Sequence, residues 1–164
     1  MRTFQSLLLI PWLALAATAA DLSEADEKFS KGLYQEALQA YQARLKDANP
    51  DTRLKALYRA CESEALLFRY VEAAQRCLNA SLPTDPVWQG RFLTLRAELA
   101  RQALKQYARG LSGDREEGAA DMTRWTSEQW RAQAEDAYRR LWALRRVLSG
   151  RPIADEGYFI DLKN

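Results

Sequence analysis

Histidine is absent from this chain of 164 residues, and cysteine occurs only twice. Without histidine, the Ser-His and Cys-His nucleophile pairs cannot form, and neither can a histidine-ligated metal site. The sequence also lacks a glycine-rich phosphate loop, although paired carboxylates of the kind that cleave glycans remain open. We therefore expect a protein that is not an enzyme and that carries no cofactor and no metal.

Long apolar runs are also scarce, and the one that exists lies at the start of the chain. Arg2 precedes the apolar stretch 7–16, and the small residues of 17–20 follow it, which is typical of a secretory signal peptide. The stretch is shorter than the roughly 20 apolar residues of a membrane-spanning helix. We predict a signal peptide over 1–20, a mature chain without a membrane span, and a periplasmic or secreted location. No cysteine stands directly after the apolar run, where a lipid would be attached, and this disfavours a lipid anchor.

The charge is nearly balanced, with 24 basic and 22 acidic residues. Such a balance argues against a dedicated binder of nucleic acid or of membrane surfaces. The partner is therefore expected to be a protein or peptide rather than a nucleic acid. Residues 139–151 are locally rich in arginine, and we interpret them as a solvated helix face.

The two cysteines, Cys61 and Cys77, are equally distant from a predicted turn at Arg69. Residues equidistant from the turn of a helical hairpin face one another, and an even number of cysteines in an oxidising compartment favours pairing. We therefore predict a structural disulfide between them, with two separate buried thiols as the alternative. No Cys-x-x-Cys motif is present to indicate a redox catalyst.

Apolar residues recur at helical spacing throughout residues 21–150, which predicts an all-α fold. The stretch 21–83 reads as two helical pairs, and 84–150 reads as a long helical hairpin that opens at Pro86. The remaining 151–164 is predicted as an extended tail, because Tyr158, Ile160 and Leu162 alternate. This tail is expected either to fold back onto the long hairpin or to donate a strand to another chain.

The two helical pairs superimpose with a period of 36 residues. The matched positions of the first and second pair are Ala25, Tyr34, Ala37 and Tyr41 against Cys61, Tyr70, Ala73 and Cys77. This pattern resembles the tetratricopeptide repeat, whose usual period is 34. The resemblance implies one domain over 21–164, built from stacked helical hairpins with a long last pair. Phe68 stands where that family has a turn glycine.

The resemblance also implies a function. Tetratricopeptide stacks bind an extended peptide or a partner helix in a groove lined by the first helix of each pair. Transferring the groove positions of the family to this sequence gives Asp26, Phe29, Lys55, Tyr58 and Glu62. We therefore expect a non-catalytic interaction or scaffolding module of the bacterial periplasm or cell envelope.

A second resemblance concerns the C-terminal part, from TRWTSEQW at 123–130 to DEGYFIDLKN at 155–164. This part is similar to the helical N-terminal region of bacterial alpha-2-macroglobulin-like proteins. It implies a stand-alone or truncated N-terminal module of a large protease-trapping protein. The sequence lacks the Cys-Gln thioester motif, so this chain itself would not trap proteases covalently.

Overall fold

The computed structural model of the chain describes residues 22–108 and 121–159. Within these ranges it is helical and contains no strand, which confirms the all-α fold class. The α-helices are α1 (Ser23–Ser30), α2 (Tyr34–Ala43), α3 (Pro50–Leu66), α4 (Tyr70–Asn79), α5 (Pro86–Ala108), α6 (Ser127–Ala143) and α7 (Arg145–Leu148). Two 3-10 helices span Met122–Arg124 and Ile153–Glu156. The predicted signal peptide and residues 160–164 of the tail lie outside the described residues.

Local sequence signals explain where two of the long helices begin. At the start of α3, the side chain of Asn49 accepts hydrogen bonds from the backbone amides of Asp51 and Thr52, and Pro50 occupies the first turn. Proline is favoured there because its missing N–H would have no helical partner. At the start of α6, Thr126 and Gln129 form a reciprocal capping box, which satisfies two amides that the helix leaves unpaired.

The α1–α2 and α3–α4 turns are built in the same way, 36 residues apart. Gly32 has a φ of 76° and Phe68 a φ of 62°. The amide of the next residue donates back to the preceding helix in each case, from Leu33 to Lys28 and from Arg69 to Glu64. Both turns therefore need one residue in the left-handed region, where glycine is unstrained and phenylalanine is not.

Each α-helix packs against the next one along the chain, and α3 also contacts α5. The small residues at four of the matched repeat positions are all buried, namely Ala25, Ala37, Cys61 and Ala73. One core lies among α1, α2 and α3, and a larger one lies among α3, α4 and α5 with Trp130 of α6. On α5, the side chains that face the core are Trp88, Phe92, Leu95, Leu99 and Ala103.

The end of the long hairpin differs from the prediction. The sequence predicts a hairpin that runs to residue 150, but α6 ends at Ala143 and the short α7 follows after Leu144. Tyr138 follows the buried Ala137 and is 49% exposed. Alanine and leucine at 137, 141 and 144 already complete the inward face, so the ring at 138 points to solvent.

The tail also differs from its predicted conformation within the described residues. Residues 153–156 form a 3-10 helix, and the amide of Phe159 donates to the carbonyl of Glu156 over 2.8 Å. A lone extended segment would leave its backbone groups without protein partners, whereas these short-range bonds satisfy several of them. The described part of the tail is therefore a compact turn that carries Tyr158 and Phe159.

Candidate functional site

The first helices of the successive pairs, α1, α3 and α5, form one surface, and the C-terminal turn lies against it. Glu156, Tyr158 and Phe159 of this turn contact side chains from all three helices. We call the surface the α1–α3–α5 groove and define it by the residues that touch the turn. They are Asp26 of α1, Lys55, Tyr58 and Arg59 of α3, and Trp88 and Arg91 of α5.

Tyr158 is held at its hydroxyl and at its ring. The hydroxyl donates to Asp26 Oδ1 over 2.7 Å, and Tyr41 of α2 donates to the same oxygen over 2.6 Å. The guanidinium carbon of Arg59 lies 4.4 Å from the centre of the Tyr158 ring, and Lys55 Nζ lies 5.6 Å from it. This position therefore suits an aromatic ring that carries a hydrogen-bond donor, with cations over its face.

Arg59 connects the turn to the helices. Its guanidinium donates to the backbone carbonyl of Tyr158 and, over 2.7 Å, to Glu62 Oε2. The guanidinium also lies over the Phe29 ring, 4.6 Å from its centre. Arg59 Nε is buried and has no hydrogen-bond partner in the structure. Arg59 thus contacts both the main chain of the segment and the ring of Tyr158.

Phe159 occupies an aromatic box. Its ring centre lies 4.9 Å from that of Tyr58 and 5.3 Å from that of Trp88, both in edge-to-face geometry. Tyr58 in turn packs against Phe92 at 5.9 Å. The guanidinium carbon of Arg91 lies 4.1 Å from the Phe159 ring centre. Edge-to-face pairs of this kind stabilise beyond the area they bury, so the box selects an aromatic side chain.

Arg91 forms a bidentate ion pair with Glu156. Its Nε and Nη2 donate to the two carboxylate oxygens of Glu156 over 2.7 and 3.0 Å. The two side chains are only 15% and 19% exposed, so solvent screens them less than an ordinary surface pair. The fork of the guanidinium matches the carboxylate geometrically, which makes this an acid-recognising position.

Burial changes the proton affinity of several groups along the groove. It raises the pKa of Glu62 to about 7, although the Arg59 guanidinium beside it acts in the opposite direction. Burial also raises the pKa values of Tyr58 and Tyr158. The Tyr158 hydroxyl therefore stays protonated as a donor to Asp26, and the charge of Glu62 can change near neutral pH.

The five residues predicted for the groove all lie in this region. Asp26 and Lys55 touch Tyr158, Tyr58 touches Phe159, and Phe29 and Glu62 hold Arg59. Tyr58 is buried beneath the tail rather than open to a partner.

The sequence prediction missed the contributions of Arg59, Trp88 and Arg91. Arg59 follows Tyr58 directly and reads as a solvated position. The other two lie on α5, whose register relative to the repeat could not be assigned.

Cys61 and Cys77 are free thiols buried in the same core. The neighbouring Cys77 thiol, together with burial, raises the pKa of the Cys61 thiol. The predicted disulfide is therefore not formed in this structure, and the bond remains a prediction about the oxidised protein. The two helices bring the sulfur atoms together without it, because Ala73 and the cysteines themselves are small.

A pocket of about 370 Å³ adjoins the groove on the side of α7. Its walls come from α5, the end of α6, α7 and the tail, and they include Gly90, Leu141, Leu148 and Ile153. A Cβ atom at Gly90 would lie 2.9 Å from Leu148 Cδ1. The glycine therefore permits the close approach of α7 to α5 that shapes this pocket.

In 22–108 and 121–159, no helix combines the length and the apolar character needed to cross a membrane. In the same ranges, no cluster of three or more Cys, Asp or Glu side chains could hold a metal ion.

Comparison of the chain with protein-family models, with curated proteins and with solved structures finds no match in any of the three.

Proposed function

We propose that the mature chain is a non-catalytic peptide-binding scaffold of the bacterial periplasm or cell envelope. In this proposal the α1–α3–α5 groove takes the partner, and the fold is a tetratricopeptide-like stack. The observation that carries the proposal is the seating of Glu156, Tyr158 and Phe159 in the groove. Groove side chains contact both the side chains of these residues and the backbone carbonyl of Tyr158. A bound peptide would be held in the same way.

The repeated geometry of the first four helices supports the tetratricopeptide-like interpretation. Helix α1 ends at Ser30 and α3 at Leu66, while α2 begins at Tyr34 and α4 at Tyr70. Each of these boundaries recurs after 36 residues, as do the turn hydrogen bonds. A groove lined by the first helix of each pair follows from such an arrangement.

The groove chemistry specifies the kind of peptide. Arg91 suits an acidic residue, Asp26 and Arg59 suit a tyrosine two positions later, and the aromatic box suits the residue after that. The partner would then carry the pattern Glu-x-Tyr-Phe or a close variant, such as Asp in place of Glu. In the folded chain its own tail fills the same positions, so the partner competes with the tail.

The affinity for an added peptide is expected to depend on competition with the tail, which is part of the same chain. A flexible tether gives its segment an effective concentration in the millimolar range, so an added peptide binds weakly while the native tail is present. Replacing Tyr158 and Phe159 by alanine in the full chain should free the groove, because the ring contacts and the Asp26 bond are then lost. Phe68→Ala with Tyr138→Ala is a matched control, since it removes the same two ring types from exposed positions.

The test uses a fluorescent peptide with the sequence of residues 153–164 and measures its anisotropy on titration. We expect the freed-groove variant to bind it at least about tenfold more tightly than either the wild type or the control variant. A peptide with alanine in place of its tyrosine and phenylalanine should not bind. The proposal fails if the freed-groove variant keeps its helical circular dichroism and still does not bind the peptide.

A further inference from the structure

A second surface, independent of the groove, lies on the outer side of α6 and α7. The inward side of these helices packs on α5 through Ala137, Leu141 and Leu144. The outward side presents Tyr138 and Trp142, which are 49% and 68% exposed. Tyr138 and Trp142 are four residues apart and therefore adjacent on one helix face. Large apolar side chains therefore lie next to one another on this surface. Single exposed apolar side chains are normal on soluble proteins, but a group of them is typical of an interaction site.

The same surface is strongly basic. Residues 139–151 contain five arginines and no acidic residue, although the whole chain has a net charge of only +2. The remainder of the chain is therefore net negative, and positive charge is concentrated at this end. Arg139, Arg145 and Arg146 are exposed, and none of them forms an ion pair within the described part of the chain. Their charge is available to an anionic partner.

Trp142 and Arg145 are arranged as one unit. The guanidinium carbon of Arg145 lies 4.7 Å from the Trp142 ring centre, and Arg145 Nη1 donates to the Trp142 carbonyl over 2.9 Å. The indole stays largely exposed even so. Tryptophan and arginine together suit the boundary between lipid headgroups and acyl chains, where an amphipathic ring and a cation are both favoured.

We propose that this outer face of α6 and α7 docks on an anionic phospholipid surface. The arginines would pair with lipid phosphates, and the rings of Trp142 and Tyr138 would lie at headgroup depth. A nucleic acid fits less well, because the basic patch is short, the rest of the chain is net negative, and exposed aliphatic groups gain nothing from a phosphate backbone. Peripheral docking of this kind requires no membrane-spanning helix.

The experiment measures co-sedimentation of the chain without its predicted signal peptide. One set of vesicles contains phosphatidylglycerol and phosphatidylcholine in equal amounts, and the other contains phosphatidylcholine alone. Arg145→Gln with Arg146→Gln should weaken binding to the anionic vesicles by about fivefold for each arginine. Lys46→Gln with Arg69→Gln, which removes the same charge from exposed positions elsewhere, should bind as the wild type does. Trp142→Ala should also weaken binding.

Three results would overturn the proposal. The first is absence of wild-type binding to the phosphatidylglycerol vesicles at low salt. The second is an equal loss of binding in the arginine variant and its matched control, which would indicate a nonspecific charge effect. The third is binding of soluble poly-glutamate as tightly as vesicles with no dependence on Trp142, which would indicate an acidic protein partner instead. Trp142 is exposed, so its replacement leaves the core intact in each comparison.

Discussion

The hydroxyl of Tyr158 donates a 2.7 Å hydrogen bond to Asp26 Oδ1, joining two residues that are 132 positions apart in the chain. Tyr41 donates to the same oxygen over 2.6 Å. Because Asp26 lies on the first described helix and Tyr158 near the end of the last described segment, this bond links the two extremes of the fold. The stability of the protein should therefore depend on the tail.

Replacing Tyr158 by phenylalanine tests this bond while keeping the ring. We expect the free energy of unfolding to fall by about 1–2 kcal/mol, because a bond to a partly buried acceptor is lost. Urea denaturation followed by circular dichroism measures the change. Tyr138→Phe is the matched control and should change stability by less than about 0.5 kcal/mol, because this tyrosine is an exposed surface residue. Equal effects of the two substitutions would contradict the assigned role of Tyr158.

The Arg91–Glu156 ion pair can be compared with an exposed pair by double-mutant cycles. Arg91 and Glu156 are mostly shielded from solvent and share two hydrogen bonds. Arg140 and Asp136 are each 51% exposed, and Arg140 Nη1 lies 3.6 Å from Asp136 Oδ2. Glutamine or asparagine replacements should give a coupling energy of about 1–2 kcal/mol for the first pair. The second pair should give at most about 0.5 kcal/mol. Similar coupling in both cycles would mean that Arg91 does not bind the tail specifically.

The two left-handed turn residues predict opposite effects of substitution. Phe68 has a φ of 62° and is exposed, so Phe68→Gly should raise the free energy of unfolding by about 1 kcal/mol through relief of backbone strain. Gly32 has a φ of 76° with open space around it, so Gly32→Ala should lower stability by a similar amount. Thermal denaturation of both variants checks the pair. If Phe68→Gly lowered stability instead, the contact of the Phe68 ring with Tyr70 would outweigh the strain.

These turns show how far sequence reasoning extends. The helix starts at Asn49 and Thr126, and the burial of Ala37 and Ala73, follow from capping chemistry and residue size, which are local properties. The break at Leu144 has no comparable signal, because the sequence from 139 to 149 favours helix without interruption. It is set instead by where α7 meets α5 beside Gly90.

The groove also combines features that local sequence predicts with features that depend on distant residues. Asp26 and Tyr58 were identified from their offsets within the repeat, and they do contact the tail. Arg91 was missed because its role depends on Glu156, 65 residues later. No local pattern encodes that pairing. The sequence left two outcomes open for the tail, folding back or donating a strand, because alternating apolar residues do not by themselves distinguish the two.

The raised pKa of Glu62 should make the free energy of unfolding depend on pH. Burial raises its pKa to about 7 in the folded chain, from an ordinary value of 4.5. The folded state therefore keeps a proton that the unfolded chain releases, so the free energy of unfolding falls as pH rises from about 4.5 to about 7. The decline attributable to this group is on the order of 1–3 kcal/mol. Glu62→Gln should abolish it.

Denaturant titrations across this pH range compare the wild type, Glu62→Gln and a control. Glu72→Gln is suitable as the control because Glu72 is an exposed carboxylate on the neighbouring helix α4. We expect its profile to follow the wild type. Parallel profiles for all three proteins would show that Glu62 titrates as it does in water and that its burial beside Arg59 does not matter.

The central claim is that the turn carrying Tyr158 and Phe159 occupies the α1–α3–α5 groove in the folded protein. Nuclear Overhauser contacts between aromatic ring protons measure this directly, because the Phe159 ring centre lies 4.9 Å from that of Tyr58 and 5.3 Å from that of Trp88. We predict cross-peaks from Phe159 to both rings, and their loss when excess peptide of sequence 153–164 replaces the tail. Phe159 resonances at random-coil positions, without cross-peaks to α3 or α5 in an otherwise folded chain, would contradict the claim.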